Sequence, residues 1–154
     1  MNRIYKVTFN KSSFELVDDY DRLSDIDKER VSDMDVNGFF DYDEDDKYSF
    51  FIIVDSIEFK TYTKILNENL IEYEVKDISN DVLRGKIDVE EFTSKYSSPM
   101  NTIKLSFFID DLNEWIYDNL DIDIVLDRIS EVGINSLKKI EKEFLNNYSS
   151  KSKI

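Results

Sequence analysis

Cysteine and histidine are absent from the 154 residues, and glycine and proline are scarce, at three and one. Without thiol or imidazole the chain cannot build a disulfide, a typical zinc centre, a thiolate nucleophile or an imidazole base. So little glycine and proline leaves no long flexible linker and no collagen-like or Pro-rich segment. The longest apolar run, Phe50–Val54, is far short of a membrane span. No apolar h-region follows Met1–Lys6, which reads as a cytoplasmic rather than a secreted chain. Positive charge is also in deficit: 20 Lys and Arg stand against 34 Asp and Glu, a net charge of -14. That imbalance repels nucleic-acid phosphates and anionic lipid, and it favours basic proteins or divalent cations.

What is present suits an ordered core. Apolar residues make up 41%, with 11 Phe and 9 Tyr, a composition unlike that of disordered chains. The length fits one compact domain, with a sheet region over 1–109 and a helical region over 110–150 packed on it. Ile4–Phe9 alternates as a strand, and Phe14–Val17 reads as its return strand in a hairpin. Ser24 opens a short helix, and an Asp-rich loop follows over 33–46. Tyr48–Val54 reads as a strand buried on both faces. Ser56 is placed to cap a helix with Phe59, Tyr62, Ile65 and Leu66 on one face, ending near Asn69. Ile71, Tyr73 and Val75 alternate as the next strand, so residues 48–76 form a βαβ unit. A short helix is expected from Asp88 to Tyr96, a break at Ser98-Pro99, and a strand through Ile103, Leu105 and Phe107. The fold class is α+β, with a four- to five-stranded mixed sheet and a C-terminal helical hairpin.

Residues Asp33-Met34-Asp35-Val36-Asn37-Gly38-Phe39-Phe40-Asp41-Tyr42-Asp43-Glu44 satisfy the pattern D-x-[DN]-x-[DN]-G-x₅-E. This segment resembles an EF-hand calcium loop. The resemblance implies metal ligands at Asp33, Asp35, Asn37, Phe39 through its carbonyl, Asp41 and Glu44, with calcium as the one implied ligand. The segment after it looks like a strand rather than an exiting helix, and there is no second copy. The competing reading is a solvated acidic turn, in which Asn37-Gly38 signals a hairpin and Phe39, Phe40 and Tyr42 begin a strand.

Other chemistry is less specific. Asp55 at a strand end and Glu74-Val75-Lys76 on the next strand match the Asp…Glu-x-Lys spacing of metal-dependent nucleases, but an alternating exposed face explains them more simply. Carboxylate pairs for glycoside hydrolysis are too numerous to choose among. No Gly-rich phosphate loop and no G-x-S-x-G elbow occur. Trp115 shares helical spacing with Leu112, Ile116 and Leu120, a core pattern.

Near the C-terminus, Ile124, Val125, Ile129 and Val132 form an apolar stripe, Gly133 suits a helix C′ position, and Ser136 is placed to cap the next helix. Residues 125–145 resemble a helical motif at the C-terminal tail of some rhomboid-family proteins of the Bacteroidetes. The rhomboid catalytic residues and membrane helices are absent, so the resemblance implies a packing or docking element and a bacterial origin, and no protease activity. An ordinary helical hairpin closing the domain explains the same residues.

These observations point to a non-enzymatic acidic interaction module of adaptor, inhibitor or immunity type, engaging a basic protein partner. The acids near Asp18, Asp19 and Asp21 and the segment Asp41–Asp46 are the expected contact regions. No cofactor is required by such a protein. A calcium-binding module is the alternative, and a carboxylate- or metal-dependent enzyme the third reading.

Overall fold

The computed structural model describes residues 1–43, 45–87 and 99–151. Four strands, β1 (Asn2–Phe9), β2 (Gly38–Tyr42), β3 (Tyr48–Asp55) and β4 (Tyr73–Asp77), form one sheet in the order β2-β3-β1-β4. Every neighbouring pair is antiparallel, where a mixed sheet was expected. β3 and β4 do run the same way and are joined by α3 (Ser56–Glu68). The βαβ segment is therefore present, but β1 lies between its two strands. Because β1 runs opposite to both, each of its ladders is antiparallel.

Between β1 and β2 lie α1 (Ser13–Asp21) and α2 (Asp25–Val36). Residues 14–17, expected as a return strand, belong to α1. Ser12 caps it by accepting from the backbone N–H of Glu15 at 3.3 Å, and the first turn then buries Leu16. Ser24 caps α2 as expected, accepting from Asp27 N–H at 3.2 Å. The helix runs on to Val36, so the first third of the Asp-rich segment is helical. Asp55, not Ser56, caps α3, accepting from Ile57 N–H at 2.8 Å, while Asn69 ends it.

α4 (Ser79–Leu83), α5 (Pro99–Asn119), α6 (Ile122–Val132) and α7 (Lys139–Lys151) complete the chain. The expected strand through 103–107 is part of α5. Phe108, Leu112, Trp115 and Ile116 are its buried stripe, a helical period that overrides the short alternation before it. Pro99 sits at the first helical position, where its missing N–H costs nothing. The helix expected at 88–96 lies outside the described residues.

The chain divides into two units. Unit one holds Met1–Ser79 and α5 as far as Phe108. Its core packs Val7, Phe9, Phe50, Ile52 and Val54 of the sheet against Leu16, Leu23, Val31, Phe59, Tyr62, Ile65 and Leu66 of α1–α3. The opposite sheet face buries Ile4, Phe39 and Phe51, so β3 is covered on both sides. Unit two begins at Asn80 and takes the chain again from Ile109. Its buried apolar residues are Val82, Leu112, Trp115, Ile116, Leu120, Val125 and Leu137. The C-terminal hairpin is present: α6 ends at Gly133, whose φ of 82° lies in the left-handed region glycine tolerates. Ser136 does not cap α7. Glu141 turns back instead and accepts from the backbone N–H of Lys138 at 3.0 Å, the carboxylate half of a capping box.

Candidate functional site

The twelve residues that resemble a calcium loop are split between a helix end and a strand. Asp33 and Asp35 lie in the last turns of α2, and Asn37 is its C-cap, donating from its side chain to the Asp33 carbonyl at 3.2 Å. Residues two apart on a helix point about 200° from each other, so Asp33 faces solvent while Asp35 turns toward the core. Phe39 and Asp41 lie in β2, both buried, and one Asp41 oxygen accepts from Tyr42 N–H at 2.7 Å. Glu44 lies outside the described residues. Among the described residues no three acids converge as a cation site. A calcium-loaded loop would need α2 to unwind from Asp33. Calcium binding that Glu44→Gln abolishes is therefore expected to be accompanied by loss of helical circular dichroism. Heat of binding without that loss would put the ion elsewhere.

Asp35 is the most unusual polar group described. Its Oδ1 is sealed from solvent and has no hydrogen-bond partner. Its charge helps push up three tyrosine hydroxyls from separate elements, Tyr20 of α1, Tyr48 of β3 and Tyr62 of α3, although burial is the larger cause at each. The Tyr20 and Tyr62 hydroxyls bond each other at 3.1 Å. Burial pushes the Asp35 carboxyl up to about 7, only partly offset by Lys104. Burial likewise pushes the Tyr48 hydroxyl up to about 12 and the Tyr62 hydroxyl well above its ordinary value. Asp35 stands out in the sequence only as a loop ligand. The tyrosines come from distant segments and no local pattern joins them.

The other acids divide into those already engaged and those that face water. Asp43 accepts from Asp45 N–H and Lys47 N–H, both at 2.9 Å, and its second oxygen lies 3.1 Å from the Lys6 ammonium. Burial alone would push this carboxyl up. The backbone N–H of Lys47, the Lys6 ammonium and the N–H of Asp45 outweigh it and hold the group below its usual value. Asp19 is tied to Lys11 at 2.6 Å. Asp18, Asp21 and Asp45 remain exposed.

α1 presents these acids in a defined pattern. Leu16 and Tyr20 face the core, while Phe14, Val17, Asp18 and Asp21 share the outer face at spacing i, i+3, i+4 and i+7. Phe14 is 84% exposed and Val17 56%. The Ser12-x-x-Glu15 spacing is a legible capping-box signal for this helix.

The nuclease-like set does not converge. Asp55 pairs in register with Asn2, and Glu74 with Thr8, at opposite ends of β1. Six residues of strand separate them by about 20 Å. Asp55 is also occupied, capping α3 and lying 3.3 Å from the Met1 amine.

In unit two, Arg128 Nε donates to Glu141 at 3.1 Å, and both side chains are almost fully buried. A cavity of about 290 Å³ adjoins Glu141, walled by Val82, Leu83, Ile116 and Ile140. Trp115 is buried, as its spacing predicts. Comparison with protein-family models, with curated proteins and with solved structures gives no match for this chain.

Proposed function

We propose that this protein is a non-enzymatic interaction module, of adaptor, inhibitor or immunity type, which binds a basic protein partner through its acidic surface. The outer face of α1 carries this reading. A largely exposed phenylalanine beside Val17, bracketed by Asp18 and Asp21, combines an apolar anchor with a charged rim. Such an anchor supplies most of the binding energy, and the acids steer encounter and exclude acidic competitors. A net charge of -14 extends the steering field over the whole molecule. Among the described residues no helix is long and apolar enough to cross a membrane.

The test is capture of partners from extract of the source cells at low and at high salt. A basic partner should be retained at low salt and lost as salt screens the steering charges. Phe14→Ala should weaken its binding at least tenfold, as expected for a hot-spot aromatic. Asp18→Lys with Asp21→Lys should weaken it further and flatten the salt dependence. Retention of every captured partner at high salt, or indifference to all three substitutions, would remove this reading.

A further inference from the structure

We infer that two copies of this chain pair through β4, across a two-fold axis at Val75, and so continue the sheet from one copy into the other. Among the described residues β4 is bonded on one side only, to β1. The edge strand at the other end of the sheet, β2, buries Phe39 and Asp41. On β4, Glu74, Val75, Lys76 and Asp77 are all exposed, Val75 by 42%. An open edge of this kind presents a row of backbone donors and acceptors to which another strand can bond.

The register identifies those groups. Ile78 N–H donates to the Ile4 carbonyl at 2.9 Å. Ladder bonds of an antiparallel pair fall on alternate residues. With Lys6 opposite Lys76 and Thr8 opposite Glu74, the backbones of Lys76 and Glu74 therefore bond β1. Those of Tyr73, Val75 and Asp77 point the other way, toward the open edge.

The side chains select the occupant. When β4 pairs with itself about Val75, valine faces valine, Glu74 faces Lys76 of the second copy, and Tyr73 faces its Asp77. The pattern Glu74-Val75-Lys76 is thus its own complement, and the two-fold axis forms each charge pair twice. The charge pairs lie on the sheet face of Lys6 and Thr8, while Val75 lies on the core face beside Val7. Sliding one strand by two residues would set Glu74 against Glu74 or Lys76 against Lys76, so the charges also fix the register. A basic strand from another protein would bring a like charge against Lys76. The -14 charge of each copy opposes association, and five paired residues make a small interface. The pairing is therefore weak, with a Kd on the order of 100 µM.

Sedimentation equilibrium of the full chain tests this, from about 10 µM to about 1 mM at about 0.15 M salt, where the Debye length is about 8 Å. We expect a monomer–dimer equilibrium. Val75→Pro removes an outward N–H and no bond to β1, a placement that edge strands tolerate. It should weaken the dimer at least tenfold with the circular dichroism of the monomer unchanged. Glu74→Lys and Lys76→Glu should each weaken it about tenfold, since each sets two like-charge pairs across the axis. Glu74→Lys also reduces the net negative charge, so weakening by it separates strand pairing from general repulsion. An equimolar mixture of these two single variants should dimerise again, because Lys then faces Glu at both positions, and the double variant should regain the native affinity. A monomer at the highest concentration would overturn the inference. So would a dimer indifferent to Val75→Pro, or a mixture no more associated than its components. Should Val75→Pro fail to fold, the exposed charge variants and their mixture decide.

Discussion

Glu141→Leu should destabilise unit two by about 3–4 kcal/mol, the usual cost of leaving a buried charge without its partner. The carboxylate does two things that leucine cannot. It accepts from Arg128 Nε at 3.1 Å, and it caps α7 through Lys138 N–H at 3.0 Å. Among the described residues the other acid beside Arg128 is Glu131, which lies at 4.0 Å on the exposed side. The guanidinium also fills the space beside Gly85, where a Cβ would come within 2.6 Å of its central carbon. Arg128→Met should cost about 3 kcal/mol, since it strands Glu141. The double variant should cost less than the sum by about 2 kcal/mol, because two matched apolar side chains leave no orphan charge. Trp115, buried in the same unit, makes fluorescence-detected urea unfolding the appropriate measurement. Strict additivity would show that the pair contributes nothing as a pair.

Gly38→Ala should lower the stability of unit one by about 3 kcal/mol, at the upper end for overpacking. A Cβ at this position would sit 2.2 Å from the Phe50 ring and 2.7 Å from the Phe51 carbonyl oxygen. The ring cannot simply rotate aside. It is fully buried, stacked on Phe40 at 4.3 Å and against Tyr62 at 5.8 Å. The carbonyl belongs to the β3 backbone, so relief requires β2 to separate from β3. Thermal unfolding followed by near-ultraviolet tyrosine signals should show a midpoint about 6–12 °C lower. Slow-exchanging amides of β2 should lose protection before those of β1. An unchanged midpoint would mean that β2 sits further from β3 than the structure places it.

Both residues illustrate what local sequence conveys. Gly38 is visible as part of a turn signal after Asn37, and β2 does begin there, as the acidic-turn reading anticipates. Its contact with Phe50 is not visible, because the two meet only through the β2–β3 register. The α3 face of Phe59, Tyr62, Ile65 and Leu66 is legible because helical periodicity writes burial into nearby positions. Phe14–Val17 and Ile103–Phe107 mislead for the same reason in reverse. Four or five residues of alternation weigh less than a capped helix start or a longer buried stripe. The acids of the calcium-like segment read as one loop because their spacing is local. Continuation of α2 to Val36 instead turns Asp33 outward and Asp35 inward.

Composition alone decided the charge, the lack of thiol and imidazole chemistry and the sufficiency of apolar residues for a core, since none of these depends on arrangement. Periodicity decided α3, α6 and β1, and an unbroken apolar run decided β3, because these signals lie within single segments. Only tertiary structure decided that β1 enters between β3 and β4, that Asp55 and Glu74 lie apart, and that one oxygen of Asp35 is sealed from solvent. Those outcomes depend on strand order and helix docking. Both are set by contacts between residues far apart in the chain, which no short window of sequence contains.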